Sequence, residues 1–193
     1  MGGAIMPNTI FAAIDIETTG LDVEQHEILD IAIVPLNENF TISGTMPEFT
    51  ARVRAEHPET ATVEALRMNG LNPAVGKSKK EVTKDFRQWF SDCGIEKIIP
   101  IAHNLEFDMR FIRRAFPEES KVFSRHGRDS MLLALTVNDI FRRETGEDKF
   151  SSVSLRAVKD ILNIPGESCH HALEDAKDAA HAYRKLTELL TQA

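Results

Sequence analysis

The sequence is short of several things that whole protein classes require. Its 193 residues include two cysteines, Cys93 and Cys169, far apart and with no C-x-x-C spacing. That excludes a disulfide scaffold and points to a reducing, cytoplasmic setting. No apolar run approaches the ~20 residues needed to span a bilayer, so no membrane partner is expected. Residues 1–7 carry no basic group and no long apolar stretch, which excludes a signal peptide. Gly2 alone suggests myristoylation, but Met6 stands where Ser or Thr is required. Internal repeats, low-complexity tracts and an EF-hand loop are all missing, so an acidic calcium-binding protein is set aside. Positive charge is scarce too: 23 Lys and Arg against 30 Asp and Glu leave a net charge of −7. A protein that coats nucleic acid is usually basic. Gripping only the last few nucleotides of a strand needs far fewer phosphate contacts, and the charge does not exclude that.

What is present suits one globular domain. A 42% hydrophobic fraction and a length of 193 residues are enough for a sizeable core. We expect a single domain over residues 8–191 preceded by a short extension, 1–7. Strands are expected at 10–17, 27–36 and 49–53, where β-branched and apolar residues cluster between short turns. Such short connections favour an antiparallel meander. A helix over 60–68 stops at Asn69-Gly70, and another covers 79–90. A buried strand at 97–102 leads to a helix over 104–116, ending before Pro117. A strand is expected at 121–123. A helix capped by Asp129-Ser130 runs toward Arg142, followed by a loop over 143–150 and helices over 154–162 and 171–190. The pattern predicts an α/β fold, a mixed sheet with helices on both faces.

The first strand ends in Asp15-Ile16-Glu17-Thr18-Thr19-Gly20. Alternation puts Asp15 and Glu17 on one face and Ile14 and Ile16 on the other. Two like charges that close repel by roughly 4 kcal/mol near a protein surface. A hard cation such as Mg²⁺ relieves this because it prefers oxygen ligands. A solvated strand end would relieve it equally, so the pair matters only if further acids converge on it. Asp108 is the first candidate. At about 100° per residue it falls within the apolar face formed by Leu105, Phe107, Phe111, Ile112 and Ala115. There it needs a partner: a metal site, or else a backbone amide or a stray Arg. The last helix supplies another. Ala172, Ala176, Ala179, Tyr183, Leu186 and Leu190 form its stripe, and Asp175 lies at the stripe's edge, pointing inward. Glu174 and His181 point away, and Asp178 flanks. His170 precedes this helix at the same end as Asp175, as a surface residue or as a base. His171, one turn before Asp175, is its rival.

Three segments together resemble the DEDDh class of 3′→5′ exonucleases, the group that contains the bacterial proofreading subunit, ribonuclease T and the TREX enzymes. Asp15 to Leu21 resembles the first motif of that class, His103 to Asp108 the second (H-N-x-x-F-D), and His170 to Ala176 the third. The resemblance covers nearly the whole chain. It implies a ribonuclease H-like mixed five-stranded sheet and two-metal phosphodiester hydrolysis with Mg²⁺ or Mn²⁺, two ions per site. In that scheme Asp15, Glu17, Asp108 and Asp175 hold metal, and His170 is the general base that yields nucleoside 5′-monophosphates. It further implies substrate contacts at Thr18, Leu21, Glu64, Asn69 and Asn104. The residues themselves leave alternatives open: core filling for Leu21, a helix C-cap for Asn69-Gly70, an N-cap for Asn104. Asn69 also stands where the class more often has His. Arg110, Arg113, Arg114 and the Lys77–Lys80 cluster are either strand contacts or a solvated face.

The partners so implied are 3′ ends of single-stranded DNA or RNA, with a second copy of the chain and a polymerase as further partners to consider. An RNA trimmer of the ribonuclease T or oligoribonuclease kind is the rival enzyme. The rival outside catalysis is a module that binds nucleic-acid ends or a polymerase, and the presence of all four acids and the histidine speaks against it. With no long tail after residue 190 and no TREX-type proline-rich insertion, a stand-alone enzyme is the expectation.

Overall fold

The computed structural model describes residues 9–166 and 171–192. The chain extension 1–7, Cys169 and His170 lie outside the described residues. Five strands form one sheet in the order β3-β2-β1-β4-β5: β1 (Thr9–Thr18), β2 (Ile28–Leu36), β3 (Phe49–Arg52), β4 (Lys97–Ala102) and β5 (Arg128–Asp129). The first three strands pair antiparallel, while β4 joins β1 and β5 joins β4 in parallel. The expected mixed five-stranded α/β sheet is therefore what the chain forms.

Among the described residues, six α-helices complete it: α1 (Val63–Asn69), α2 (Lys79–Asp92), α3 (Leu105–Ala115), α4 (Ser130–Thr145), α5 (Leu155–Ile161) and α6 (Ala172–Gln192). On one face, Ile14, Ile16, Ile31 and Ile33 pack with Phe86 and Trp89 of α2 and with Met109 and Ile112 of α3. On the other face, Ala13, Ala32 and Val34 meet Ala172, Ala176 and Ala180 of α6. Small residues on both sides of that seam let the helix axis lie close to the sheet. Val137 of α4 and Val158 of α5 then bury the outer side of α6 around Ala182 and Leu186.

Local chemistry sets the element ends. Thr62 accepts from the Ala65 N–H to start α1, and Gly70 at φ 65° closes it in the left-handed region. Ser78 and Glu81 form a reciprocal capping box on α2. Two expectations need correction. Residues 121–123 are not a strand: after Pro117 the chain closes a 3₁₀ turn over Glu119–Val122, and only Phe123 bridges Ile98. Local i→i+3 bonds outcompete pairing for a segment this short, so the edge strand is Arg128–Asp129 instead. Helix α4 also runs past Arg142 to Thr145, because Gly146 rather than the polar composition ends it. Among the described residues, no helix is long and apolar enough to cross a membrane.

A buried ion pair ties α5 to α6. Lys159 is 2% exposed and Asp178 7%; the ammonium donates to the Asp178 carboxylate and, at 3.4 Å, to the Gly166 carbonyl. Removing one partner strands a buried charge. Lys159→Met should lower unfolding stability by about 3–5 kcal/mol, and adding Asp178→Ala should restore most of it. A double-mutant cycle by urea denaturation checks this coupling.

Candidate active site

The carboxyl end of β1 is where the chemistry gathers. Ala13 faces the α6 side of the sheet and Ile14 and Ile16 the opposite core, so alternation sends Asp15 and Glu17 toward α6. Asp175, in the first turn of α6, meets them there. Ligand oxygens of Asp15, Glu17 and Asp175 all lie within 4.8 Å of one another. Asp108 comes from the first turn of α3 and is 3% exposed. The backbone N–H groups of Asp108 and Ile16 favour its charged form, and its charge acts on Asp15. The structure thus brings together all four acids singled out in the sequence.

The electrostatic consequence is large. Burial, then the charges of Asp108, Asp175, Glu17 and Asp30, raise the Asp15 carboxyl well above the usual carboxylate range. Burial, then Asp175 and Asp30, push Glu17 up to about 8. Burial foremost raises Asp108 as well. Without added positive charge Glu17 keeps its proton at neutral pH, and Asp15 and Asp108 ionise less readily than ordinary carboxyls. An all-oxygen donor set that ionises only at such a cost suits a hard divalent cation.

Neighbouring residues hold this geometry. Asn69 is buried; its amide donates to the Thr18 carbonyl at 3.1 Å and bonds the Glu17 carboxyl, while its oxygen accepts from the Leu71 N–H. Thr62 N–H donates to the Thr19 carbonyl at 2.8 Å, so α1 is fastened to the turn after β1 at both ends. Thr18 donates its hydroxyl to the Gly20 carbonyl. A Cβ on Gly20 would lie 2.5 Å from the His26 ring, so a larger residue there would have to displace that ring.

Asp129 is more than a local cap. Its Oδ1 accepts from Met131 and Leu132, starting α4. The same carboxylate accepts from Asn104 at 3.2 Å and Leu105 at 2.9 Å, so it caps α3 as well. Asn104 occupies the N-cap position of α3 with φ 72° but makes no side-chain cap bond. Asp129 thereby fixes the turn that presents Asp108. His103 sets the other side of this turn, with Nδ1 2.9 Å from Ser130 Oγ and Nε2 2.8 Å from the Val153 carbonyl.

At the rim, Leu21 is 82% exposed and fills no core; Val63 and Met68 of α1 are exposed as well, and so is Glu64. Most of the bases proposed as strand contacts are committed elsewhere: Lys77 to Asp85, Lys79 to Glu56, Arg113 to Glu106 and Arg114 to Glu24. Asp30 was overlooked in the sequence. It faces Glu17 across the β1–β2 ladder, and its carboxyl accepts from the Ile31 and Ala172 N–H groups. From β2 it thus faces the first turn of α6. The available signal was a lone acid interrupting the apolar run Ile28-Leu29-Asp30-Ile31-Ala32.

With this geometry in hand, the comparisons are decisive. The RNase_T exonuclease family matches residues 12–183. The chain belongs to that family. It is 28% identical over 183 residues to the 3′-5′ exonuclease DinG of Staphylococcus epidermidis, covering 94% of this chain and 18% of that protein. It is 27% identical over 184 residues to the PolC-type DNA polymerase III of Listeria innocua, covering 94% of this chain and 11% of that one. It thus spans less than a fifth of the length of these curated relatives. Escherichia coli exonuclease I, solved in complex with a dA16 oligonucleotide, shares the fold at a TM-score of 0.70 and 17% identity, over 95% of this chain and 43% of that one.

The raised acids give a pH dependence whose sign is fixed. Between the ordinary Glu value of 4.5 and about 8, the unfolded chain releases a proton that folded Glu17 retains. This contribution to stability is complete below 4.5 and lost as pH rises through 8. In EDTA, Glu17→Gln should therefore melt above the wild type at pH 8, with the difference shrinking toward pH 5. Calorimetric melting of both proteins across that range checks it, and a pH-independent difference contradicts it. Asp129→Ala should cost about 2 kcal/mol, since two helices lose their caps together; chemical denaturation measures this.

Proposed function

We propose that this chain is a metal-dependent 3′→5′ exonuclease domain, spanning residues 8–191, that releases nucleoside 5′-monophosphates from single-stranded ends, with DNA preferred. The observation that carries the reading is the convergence of Asp15, Glu17, Asp108 and Asp175 on one edge of the sheet. The family and the likeness to an exonuclease solved with a single-stranded oligonucleotide support it.

Asp15, Glu17 and Asp175 would hold one divalent cation, Mg²⁺ or Mn²⁺, and Asp15 with Asp108 a second. When bound, such ions activate water as a nucleophile and offset the charge developing on the phosphate and the leaving oxygen. His170, outside the described residues, is assigned as general base by the resemblance of its motif. Its imidazole takes the proton of the attacking water, a task suited to an ordinary histidine pKa near 6.5. Water oxygen bonds to phosphorus, the bond to the 3′-oxygen of the preceding nucleotide breaks, and a 5′-monophosphate leaves. Leu21, exposed at the rim, would pack on the terminal base. Asn69 acts on this chemistry by holding Glu17 and the Thr18 carbonyl in place.

Incubation of 5′-labelled single-stranded DNA and RNA with Mg²⁺, Mn²⁺ or EDTA tests the reading. A ladder shortening by single nucleotides, absent in EDTA and faster on DNA, is expected. Internal cleavage, or undiminished activity in EDTA, would overturn it, while faster loss of RNA would move the assignment to an RNA trimmer. Asp15→Asn should abolish turnover and weaken Mn²⁺ binding in calorimetry. His170→Ala should keep Mn²⁺ binding but lose about 10²–10⁴-fold in turnover.

A further inference from the structure

Three residues form a row across the sheet: Glu17 of β1 faces Asp30 of β2, and Asp30 faces Arg52 of β3. Residues directly opposite in adjacent strands share a face. Phe49 and Ala51 of β3 point into the α2–α3 core, which leaves Arg52 on the α6 side with Asp15, Glu17 and Asp30. At a strand spacing of about 4.8 Å, its backbone lies roughly 10 Å from that of Glu17, and its charge acts on both Glu17 and Asp30.

Arg52 is half-buried, yet no ion pair or side-chain hydrogen bond holds its guanidinium among the described residues. Asp30, its neighbour in the row, is already served by two backbone N–H groups. Other cations are taken: Lys77 by Asp85, Lys159 of α5 by Asp178, and Lys177 of α6 by Glu48 and Glu174. A half-buried arginine beside this site, held by no ion pair or side-chain hydrogen bond among the described residues, is placed to take an anion from outside. Its planar fork matches two phosphate oxygens. A chain of net charge −7, with five acids around this edge, needs such a cation where a polyanion approaches.

We propose that Arg52 contacts a backbone phosphate of the bound strand on the β3 side of the acid cluster. This rests on the reading of the cluster as an exonuclease centre. The test is steady-state hydrolysis of a single-stranded oligonucleotide by the full chain with Mg²⁺, across a salt series, for wild type, Arg52→Gln and Arg52→Lys. Arg52→Gln should raise KM about tenfold, as expected for losing one charged hydrogen-bonding contact, with the loss falling on KM rather than kcat. The slope of log KM against log salt should fall by about 0.7, one single-strand phosphate contact. Arg52→Lys should keep the slope and recover part of KM. Both variants should melt near the wild type; if Arg52→Gln does not fold, a wild-type KM in Arg52→Lys overturns the fork contact. Unchanged KM and slope in Arg52→Gln overturn the assignment, as does tighter Mg²⁺ activation with KM unmoved, which would make Arg52 a mere counter-charge to the acids. If the wild type itself releases no mononucleotides, the exonuclease reading fails and takes this contact with it; if it does and only the variants show no effect, Arg52 alone is misassigned.

Discussion

Mutual repulsion among carboxylates at the end of β1 is the constraint around which this molecule is built. Asp15 feels four other acids at once, in surroundings where each close pair of like charges costs about 4 kcal/mol. No local feature of β1 could hold that arrangement. The acids arrive on separate elements, and each element is secured by packing well away from the site. The Phe86–Phe116 and Phe49–Trp89 ring contacts anchor the α2–α3 layer, and the alanine seam anchors α6. The repulsion is thus opposed by hydrophobic burial that the acids cannot disturb.

Helix starts do the second part of this work. Asp108 and Asp175 both occupy first turns, where unpaired N–H groups and the helix dipole favour negative charge. Those first turns are fixed by further acids supplied from elsewhere in the chain: Asp129 for α3 and Asp30 for α6. The site therefore has two tiers of carboxylates. One tier faces the space where cations would sit, and the other satisfies the backbone that aims it. A change in the second tier would shift an oxygen of the first without removing it.

Much of this was legible in the sequence, and the exceptions share a cause. Alternation in Phe11–Glu17 and the stripe from Ala172 to Leu190 report faces directly, because periodicity is a local property. Asp108 was legible for the same reason, as a charge on an apolar helix face. Asp129 could be read only as the cap of its own helix, since its bonds to Asn104 and Leu105 span some two dozen residues of chain. Asp30 was passed over because the strand around it is so apolar that its fold role was already explained. The edge strand was misplaced because a two-residue pairing leaves no periodic trace, whereas Lys121-Val122-Phe123 imitates one. Exposure of Leu21 could not be read either, since a leucine after a turn suits a core and a rim equally.

The charge balance bears on how such a site could hold nucleic acid at all. Several basic side chains are neutralised within the chain, as with Lys79 by Glu56 and Arg142 by Asp148. With a net charge of −7, affinity by counterion release along many phosphates is a poor match to the chain as a whole. Attraction must instead be concentrated where the fold has concentrated its opposite. On the reading proposed above, five acids at one end of the sheet would favour a polyanion only once cations neutralise them, and the same oxygens would then help to hold it. Binding arranged in this way would be concentrated on the nucleotides beside the cluster, which is the arrangement an end-directed hydrolase of the proposed kind requires.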